Sequence, residues 1–265
     1  MFNSESKFRL SRISWFAGFT LLTLAIWEVA VKIFAVKTFI LPAPSLIFFE
    51  LLNAPSFYLK HGAYTLLITL IGFLFSILFG VFLAISIVYS KVLDKTVTPA
   101  LVSFNAVPKV ALAPLFVIWL GTEWEPKVAI AFLISIFPIV IDAILGLRSI
   151  DPDMLNLAKS CRSSKFKALL YIRFPNALPS IFTGFKVGVS FALIGAVVGE
   201  FVAGDTGLGF VILQSQGNFD TPRVFASLAV LGALGTILFY GVEAVESKVI
   251  PWHVSKRGLT REDII

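Results

Sequence analysis

The sequence predicts an all-α polytopic membrane protein with about six transmembrane helices. Of its 265 residues, 57% are hydrophobic and only 14% are charged, whereas an average soluble domain is roughly 45–50% apolar and about 25% charged. Six apolar runs, each about long enough to cross a bilayer, cover most of the chain. They lie at about 13–35, 63–89, 97–120, 128–147, 177–202 and 224–250. Such a chain cannot bury its apolar surface in one water-soluble core, so it belongs in a membrane.

The basic residues predict which side of the membrane each connection faces. Fifteen of the 22 Lys and Arg lie in one set of alternating segments, which comprises both termini and the connections around 91–95 and 148–173. Only five lie in the other set. Because cytoplasmic connections carry the excess of positive charge, both termini are expected in the cytoplasm, which agrees with an even number of crossings.

The first span follows a basic start, as the apolar core of a secretory signal peptide does. Its apolar run exceeds 20 residues and no small-x-small cleavage site closes it, which favours an uncleaved first helix. Residues 36–60 are rich in proline and aromatic residues and predict an outer connection with a short surface helix from Ser45. The expected organisation is an N-terminal helix and connection at 1–59, a transmembrane domain at 60–250, and a cytoplasmic tail at 251–265.

The third and fourth spans contain polar residues that are costly in a bilayer. Pro108 and Pro114 of the third span each remove a backbone donor and kink the helix. Protein should therefore shield this span from lipid. Lys109 either borders a pathway, pairs with a carboxylate such as Glu200, or snorkels to the interface. Asp142 either pairs with Arg148 at helical spacing or lines the pathway. The pathway or gate candidates are Asn105, Lys109, Asp142, Glu200 and Asp205.

The fifth span is predicted to be a central packing element. Small residues four apart let a second helix approach the backbone closely. The glycines with this spacing are Gly184, Gly188, Gly195 and Gly199. Beyond the span, a turn-rich run at 204–209 leads to an apolar piece at 210–213 that is too short to cross. This pattern predicts an outer loop or a re-entrant segment, and polar backbone at that depth suits a gate.

The longest cytoplasmic segment, from Ser149 to Pro175, is too polar to span. Its hydrophobic pattern predicts two short amphipathic helices interrupted near Arg162 to Ser164, with Pro175 ending the second. The five cations of this segment, with Arg148 directly before it, indicate either a docking surface for a partner or an ordinary basic inner loop.

These residues resemble the membrane subunit of a bacterial ABC importer, of the type served by a periplasmic binding protein. The cytoplasmic signature of that family is Glu-Ala-Ala, three residues, Gly, nine residues, then Ile-x-Leu-Pro. Here Asn156-Leu157-Ala158, Arg162 and Ile172-Arg173-Phe174-Pro175 stand at the matching distances. The resemblance covers about residues 60–250 and includes the runs 107–115, 176–184 and 192–201.

The resemblance implies the fold of a type I ABC importer permease and a division of labour between chains. A cytoplasmic ATPase dimer, which binds ATP and magnesium, would dock on residues 151–175. A periplasmic binding protein would deliver the solute, and two copies of this chain would form the pathway in the bacterial inner membrane. The chain has no Gly-x-x-x-x-Gly-Lys-Ser/Thr loop, so the energy is expected to come from another chain. Neither a cofactor nor a catalytic or metal site is expected in this chain. The residues expected to couple to the ATPase are Asn156, Leu157, Ala158, Arg162, Phe166, Leu169, Ile172 and Pro175.

Two departures from the signature bear on this coupling. Arg162 replaces glycine at the turn between the coupling helices, where a non-glycine residue held left-handed costs roughly 1–2 kcal/mol unless the turn changes shape. Asn156 replaces glutamate and removes a charge from the docking face. Coupling is therefore expected to be weaker, unless the partner compensates.

The resemblance leaves the solute open. A thiamine-precursor or riboflavin-like heterocycle is the first expectation, with nitrate, a sulfonate or taurine as the alternative. An ion-coupled secondary transporter ranks lower, because it should show inverted repeats and no half-to-half similarity is visible. An intramembrane enzyme would need convergent catalytic groups, whereas His61 and His253 are the only histidines and both lie at span ends.

Overall fold

The computed structural model describes residues 3–252, with side chains from residue 15 onward except those at 16, 17 and 159. This part of the chain is helical and contains no strand. Most of the predicted cytoplasmic tail at 251–265 lies outside the described residues. A 3-10 turn (Lys109–Leu112) precedes α5, and a π-helical turn (Leu169–Arg173) joins α8 to α9. The helices are α1 (Asn3–Ile33), α2 (Pro44–Asn53), α3 (Pro55–Tyr89), α4 (Lys91–Ala106), α5 (Ala113–Leu120), α6 (Glu125–Arg148), α7 (Pro152–Ser160), α8 (Lys165–Ala168), α9 (Phe174–Ala203), α10 (Leu208–Gly217) and α11 (Thr221–Val249).

Four helical elements of the described residues are long and apolar enough to cross a membrane. They are α3, α6, the element from α8 through α9, and α11. A fifth is formed if α4 and the bent helix after it are counted as one span. The first predicted crossing lies in α1, a 31-residue helix whose side chains are described only in part. The predicted class, an all-α membrane protein, is confirmed.

The third predicted span, at 97–120, is wrong as a single kinked helix. α4 begins earlier, at Lys91, and ends at Ala106. The next helix leaves at an angle of 88° to it. Pro108 has no backbone N–H to donate, and its ring disfavours helical geometry at Val107, so the helix breaks at these two residues instead of kinking.

One compact unit comprises His61–Phe210 and the described residues from Leu231 on. Its centre is the pair α6 and α9, whose backbones lie close because glycines line the contact. A side-chain carbon placed on Gly195 would lie 2.6 Å from the Ala131 Cα, and one on Gly199 would lie 2.7 Å from the Lys127 Cα. The glycines of α9 that meet α6 in this way are Gly184, Gly188, Gly195 and Gly199.

Polar contacts inside this unit bring further helices to the α6–α9 pair. Ser76 of α3 and Ser135 of α6 share a hydrogen bond of 2.5 Å between their hydroxyls. The Lys186 ammonium of α9 lies 2.5 Å from the Glu246 carboxylate of α11. Each of these polar groups therefore has a hydrogen-bond or ion-pair partner inside the protein, as burial requires.

The other compact unit comprises α1, α2, the start of α3 and residues 211–230. The Glu28 carboxylate of α1 accepts hydrogen bonds from the Ser45 N–H at 3.0 Å and from the Ser45 hydroxyl at 2.9 Å. It therefore satisfies a free backbone donor in the first turn of α2. The short helix predicted from Ser45 is confirmed as α2. Arg223 pairs with Glu50 of α2, with 3.0 Å between Nε and Oε1.

Candidate functional site

The segment expected to dock a partner consists of α7, a tight turn and α8. The Ser164 hydroxyl accepts a hydrogen bond from the Lys167 N–H at 3.3 Å and so caps α8. At the end of α7 the Ser163 N–H donates to the Ala158 carbonyl at 2.9 Å. Arg162 between them is left-handed, with a φ of 50°. This is the hydrogen bond of a Schellman motif, in which glycine usually occupies the position of Arg162.

Large apolar side chains of this segment face away from the protein. Leu157 and Phe166 are 65% and 70% exposed, and Lys165 and Lys167 beside Phe166 are exposed as well. Of the predicted coupling residues, Asn156, Leu157, Arg162 and Phe166 are exposed, Ala158 is buried, and Leu169, Ile172 and Pro175 are half-buried. The segment therefore presents a basic surface with apolar projections.

The second coupling helix does not end at Pro175, contrary to the prediction. α8 continues through the π-helical turn into α9, so Lys165–Ala203 is one helical element of 39 residues. Pro175 lies in the first turn of α9, and the wider turn before it accommodates a residue without a backbone N–H. Arg173 Nη1 donates to the Leu147 carbonyl at 3.1 Å, which ties this element to the end of α6.

At the far end of α9, Glu200 holds the loop that follows. Its side chain is almost fully buried. One carboxylate oxygen accepts a hydrogen bond from the Thr65 hydroxyl at 2.8 Å, and the other accepts one from the Gly209 N–H at 2.7 Å. The Thr65 oxygen in turn accepts a hydrogen bond from the Leu208 N–H at 2.9 Å. These groups, Thr65, Glu200 and residues 207–209, are called the Glu200 cluster below.

The surroundings of Gly207 require glycine. Its φ is 114°, which side chains disfavour, and a side-chain carbon there would overlap the Glu200 carboxylate. The Gly207 N–H donates to His61 Nδ1 at 3.1 Å. The turn-rich run predicted from sequence is therefore a tightly held loop.

Lys127 places a positive charge beside the Glu200 cluster. Its side chain is 1% exposed, and its ammonium donates to the Tyr64 hydroxyl at 3.1 Å. The same ammonium lies 3.5 Å from the carboxylate of Asp205, whose side chain is 86% exposed. This pair joins a buried cation to a carboxylate in water. Asp205 can therefore move away at little cost to itself, whereas Lys127 then needs another acceptor.

Lys109 does not pair with Glu200, which was one of its predicted alternatives. Its ammonium donates to Asn105 Oδ1 at 2.9 Å and lies 4.3 Å from the centroid of the Phe137 ring. The break after α4 directs Lys109 to the middle of α6, whereas Glu200 lies at the end of α9 and is bound by Thr65 and the loop.

Contrary to one of its predicted alternatives, Asp142 does not pair with Arg148, because residues six apart lie on different faces of a helix. The Arg148 guanidinium lies 2.5 Å from the carboxylate of Asp94, in the first turn of α4. α4 begins six residues earlier than the predicted span, and this start places Asp94 within reach of the end of α6. Asp142 is half-buried, and its Cβ lies against Gly184 of α9.

A family profile matches most of the sequence. It describes the binding-protein-dependent transport system inner membrane component and matches residues 76–251. The chain belongs to this family. The permease is thus the membrane subunit of an ABC importer, which works with an ATPase and a binding protein. It is a transport component rather than an enzyme, and this assignment replaces the secondary transporter that the sequence alone left open.

Relatives of the permease carry the names of different solutes. The riboflavin transport system permease protein RibX of Chloroflexus aurantiacus is 34% identical, over 89% of the permease and 88% of its own length. The formylaminopyrimidine transport permease protein ThiX of Halalkalibacterium halodurans is 32% identical, over 88% and 94%. The taurine transport system permease protein TauC of Escherichia coli is 28% identical, over 87% and 86%.

Solved importers share the fold of the permease. A chain of the MetNI methionine ABC transporter in an inward-facing conformation superposes with a TM-score of 0.63. The match covers 74% of the permease and 98% of that chain, at 15% sequence identity. At this identity the likeness shows the fold alone, and it confirms the predicted importer-permease fold.

Sequence reasoning missed three residues in or beside the Glu200 cluster: Thr65, His61 and Lys127. The sequence places Lys127 in an outer connection and His61 at a span end. Thr65 follows His61 by one helical turn, so both lie on one face of α3, which is the signal that the sequence offers. Which helix meets that face depends on packing between segments far apart in the chain.

Proposed function

We propose that two copies of the permease form the solute pathway of an importer in the bacterial inner membrane. Each copy binds one subunit of a cytoplasmic ATPase dimer through residues 151–175, and the ATPase binds the ATP and magnesium. The exposure of Leu157 and Phe166 on a basic surface segment carries this proposal. Large apolar side chains that project from a polar surface are typical of an interaction site.

The continuous element from Lys165 to Ala203 supports mechanical coupling. At about 1.5 Å per residue, its 39 residues extend for about 58 Å. It runs from the proposed docking segment to the Glu200 cluster. Closure of the ATPase dimer moves α8, and α9 carries the displacement to the loop at 204–209. The ATPase must bind the two states of the permease with different affinities, since otherwise ATP shifts nothing.

A small heterocycle, either a thiamine precursor or a riboflavin-like molecule, is the proposed solute. The relatives named for riboflavin and formylaminopyrimidine are 34% and 32% identical to the permease, against 28% for the relative named for taurine. Nitrate, a sulfonate or taurine is the alternative. The soluble binding protein is expected to make most of the selection.

Co-purification of the ATPase with the permease tests the docking. The double variant Leu157→Asp, Phe166→Asp places two carboxylates where the ATPase would bury apolar side chains, so it should lose the ATPase and still insert into the membrane. Phe219→Asp is the matched control, because Phe219 is 76% exposed outside this segment, and it should retain the ATPase. Normal co-purification by the double variant contradicts the docking.

The same complexes, reconstituted in liposomes with the cognate binding protein and ATP, test the solute. Riboflavin or formylaminopyrimidine should accumulate, and the double aspartate variant should abolish the accumulation. Accumulation of taurine alone would overturn the proposed solute and leave the docking intact.

A further inference from the structure

Lys109 contacts the midpoint of α6, a helix long and apolar enough to cross a membrane. Its ammonium is 4.3 Å from the ring centroid of Phe137, which follows twelve residues of the 24-residue α6 and precedes eleven. At about 1.5 Å per residue, α6 is about 36 Å long, slightly more than the roughly 30 Å of a hydrocarbon core. With α6 spanning the bilayer, a side chain that contacts its midpoint lies in the central part of the hydrocarbon core.

The contacts of this ammonium are neutral. It donates to Asn105 Oδ1 at 2.9 Å and faces the Phe137 ring, and among the described residues it lies in no salt bridge. Lys186 and Lys127 of the same unit differ, because Lys186 pairs with Glu246 and Lys127 pairs with Asp205. An ammonium has three donors. Beyond its hydrogen bond to Asn105, the Lys109 ammonium therefore keeps donors for a further acceptor.

The backbone beside Lys109 is not covered by the chain itself. Val107 and Pro108 leave helical geometry, and both are exposed, as is Ala106. Irregular backbone at membrane depth occurs only where protein covers it or where it lines a water-filled cavity. A neighbouring charge without an acidic partner favours the cavity, because a charge facing lipid costs several kcal/mol.

We propose that Lys109 is a binding station on the solute pathway, which receives a carbonyl, carboxylate or sulfonate oxygen of the passing solute. The inference rests on the proposed function, since a second copy of the permease completes the cleft around the station. Asn105 and the Phe137 ring hold the ammonium in place. Its charge attracts oxygen-rich or anionic solutes and repels cations.

Labelling of a thiol beside Lys109 tests whether Lys109 forms a solute-binding site on the pathway. Cys161 is the only cysteine, so Cys161→Ser gives a cysteine-free permease into which Ala106→Cys is introduced. The probes are the anionic sulfonatoethyl and the cationic trimethylammonium-ethyl methanethiosulfonates. They are applied to vesicles that hold the permease alone or with its ATPase, with and without ATP. The thiol should react with both, and the ratio of anionic to cationic rates should exceed that of a simple thiol by about fivefold.

Variants of Lys109 test whether its charge causes the preference for the anionic probe. Lys109→Gln should abolish the preference for the anionic probe, and Lys109→Arg should keep it. Raising the salt from about 0.01 M to about 1 M shortens the screening length from about 30 Å to about 3 Å, so the preference should also shrink in Ala106→Cys without any change at Lys109. Leu78→Cys, on an exposed face of α3, is the control for lipid contact and should react with neither probe.

Two results would overturn the station. One is an Ala106→Cys thiol that reacts with neither probe in any state, and the other is a preference that neither Lys109→Gln nor salt changes. Co-purification of the ATPase is scored in the same preparations. Loss of the station with the ATPase still bound leaves the proposed function standing, whereas loss of ATPase binding by the unsubstituted permease contradicts that function independently of the labelling.

Discussion

Arg162 shows how a single residue is constrained by the turn it occupies. The spacing of the signature predicts the turn between the coupling helices, and the structure places Arg162 there with a φ of 50°. This turn was predictable because it is local. It is determined by seven residues, which form the end of α7 and its cap. The strain of a left-handed residue with a side chain is therefore present at the centre of the proposed docking surface.

Replacing Arg162 with glycine should stabilise this turn. Relative to Arg162→Ala, which removes the same charge but keeps a side-chain carbon, Arg162→Gly should gain about 1 kcal/mol. Hydrogen exchange of the Ser163 N–H, which donates to the Ala158 carbonyl, measures the opening of the turn. Exchange should be about fivefold slower in the glycine variant than in the alanine variant, since about 1 kcal/mol corresponds to that factor. Equal exchange in the two variants would show that the turn is unstrained.

The partners of single charged residues were less predictable. The sequence suggests Glu200 as a partner for Lys109 and Arg148 as a partner for Asp142. The structure shows neither ion pair. Each actual partner is set by a helix boundary that the sequence does not reveal. The break at Val107–Pro108 sends Lys109 to Phe137, and the early start of α4 brings Asp94 to Arg148.

At the scale of elements, the spacing of residues along one helix can be predicted from the sequence. The helix that packs against that face cannot. Glycines four apart predict that α9 packs closely against another helix, because they lie on one helical face. That this helix is α6 follows only from the folded structure. The prolines of the third span likewise predict a distortion, whereas the 88° angle depends on what the next helix packs against.

The α6–α9 contact should tolerate no added carbon at Gly195. Gly195→Ala would place a carbon 2.6 Å from the Ala131 Cα, so the helices must separate, at a cost of about 1–3 kcal/mol. Gly241→Ala is the matched control, because nothing lies within 4 Å of a carbon added there, and alanine in a helix is up to about 1 kcal/mol more favourable than glycine. Thermal unfolding in detergent should show a lower midpoint for the first variant and an unchanged or higher midpoint for the second. The reverse order would mean that α6 and α9 are not in close contact.

At the scale of the whole molecule, the proposed docking segment and the Glu200 cluster lie at opposite ends of one helical element. The proposed docking segment is continuous with α9, and α9 ends in the Glu200 cluster, which fixes the loop at 204–209. The sequence predicts both regions but separates them, because it assigns a helix end to Pro175. The π-helical turn removes that boundary, so that both regions belong to one continuous helical element, as the proposed mechanical coupling requires.

Softening the π-helical turn tests this link most directly. Leu170 and Tyr171 are exposed within it, and replacing both with glycine costs up to about 1 kcal/mol per residue in helix stability relative to alanine. The matched control replaces both with alanine, which removes the same side chains and keeps the helix stiff. The measurement is solute imported per ATP hydrolysed in liposomes that contain the ATPase and the binding protein. Both pairs lie within the proposed docking segment, so bound ATPase is scored for each. At equal bound ATPase the glycine pair should import severalfold less solute per ATP than the alanine pair, and equal import by the two pairs would contradict transmission through this element.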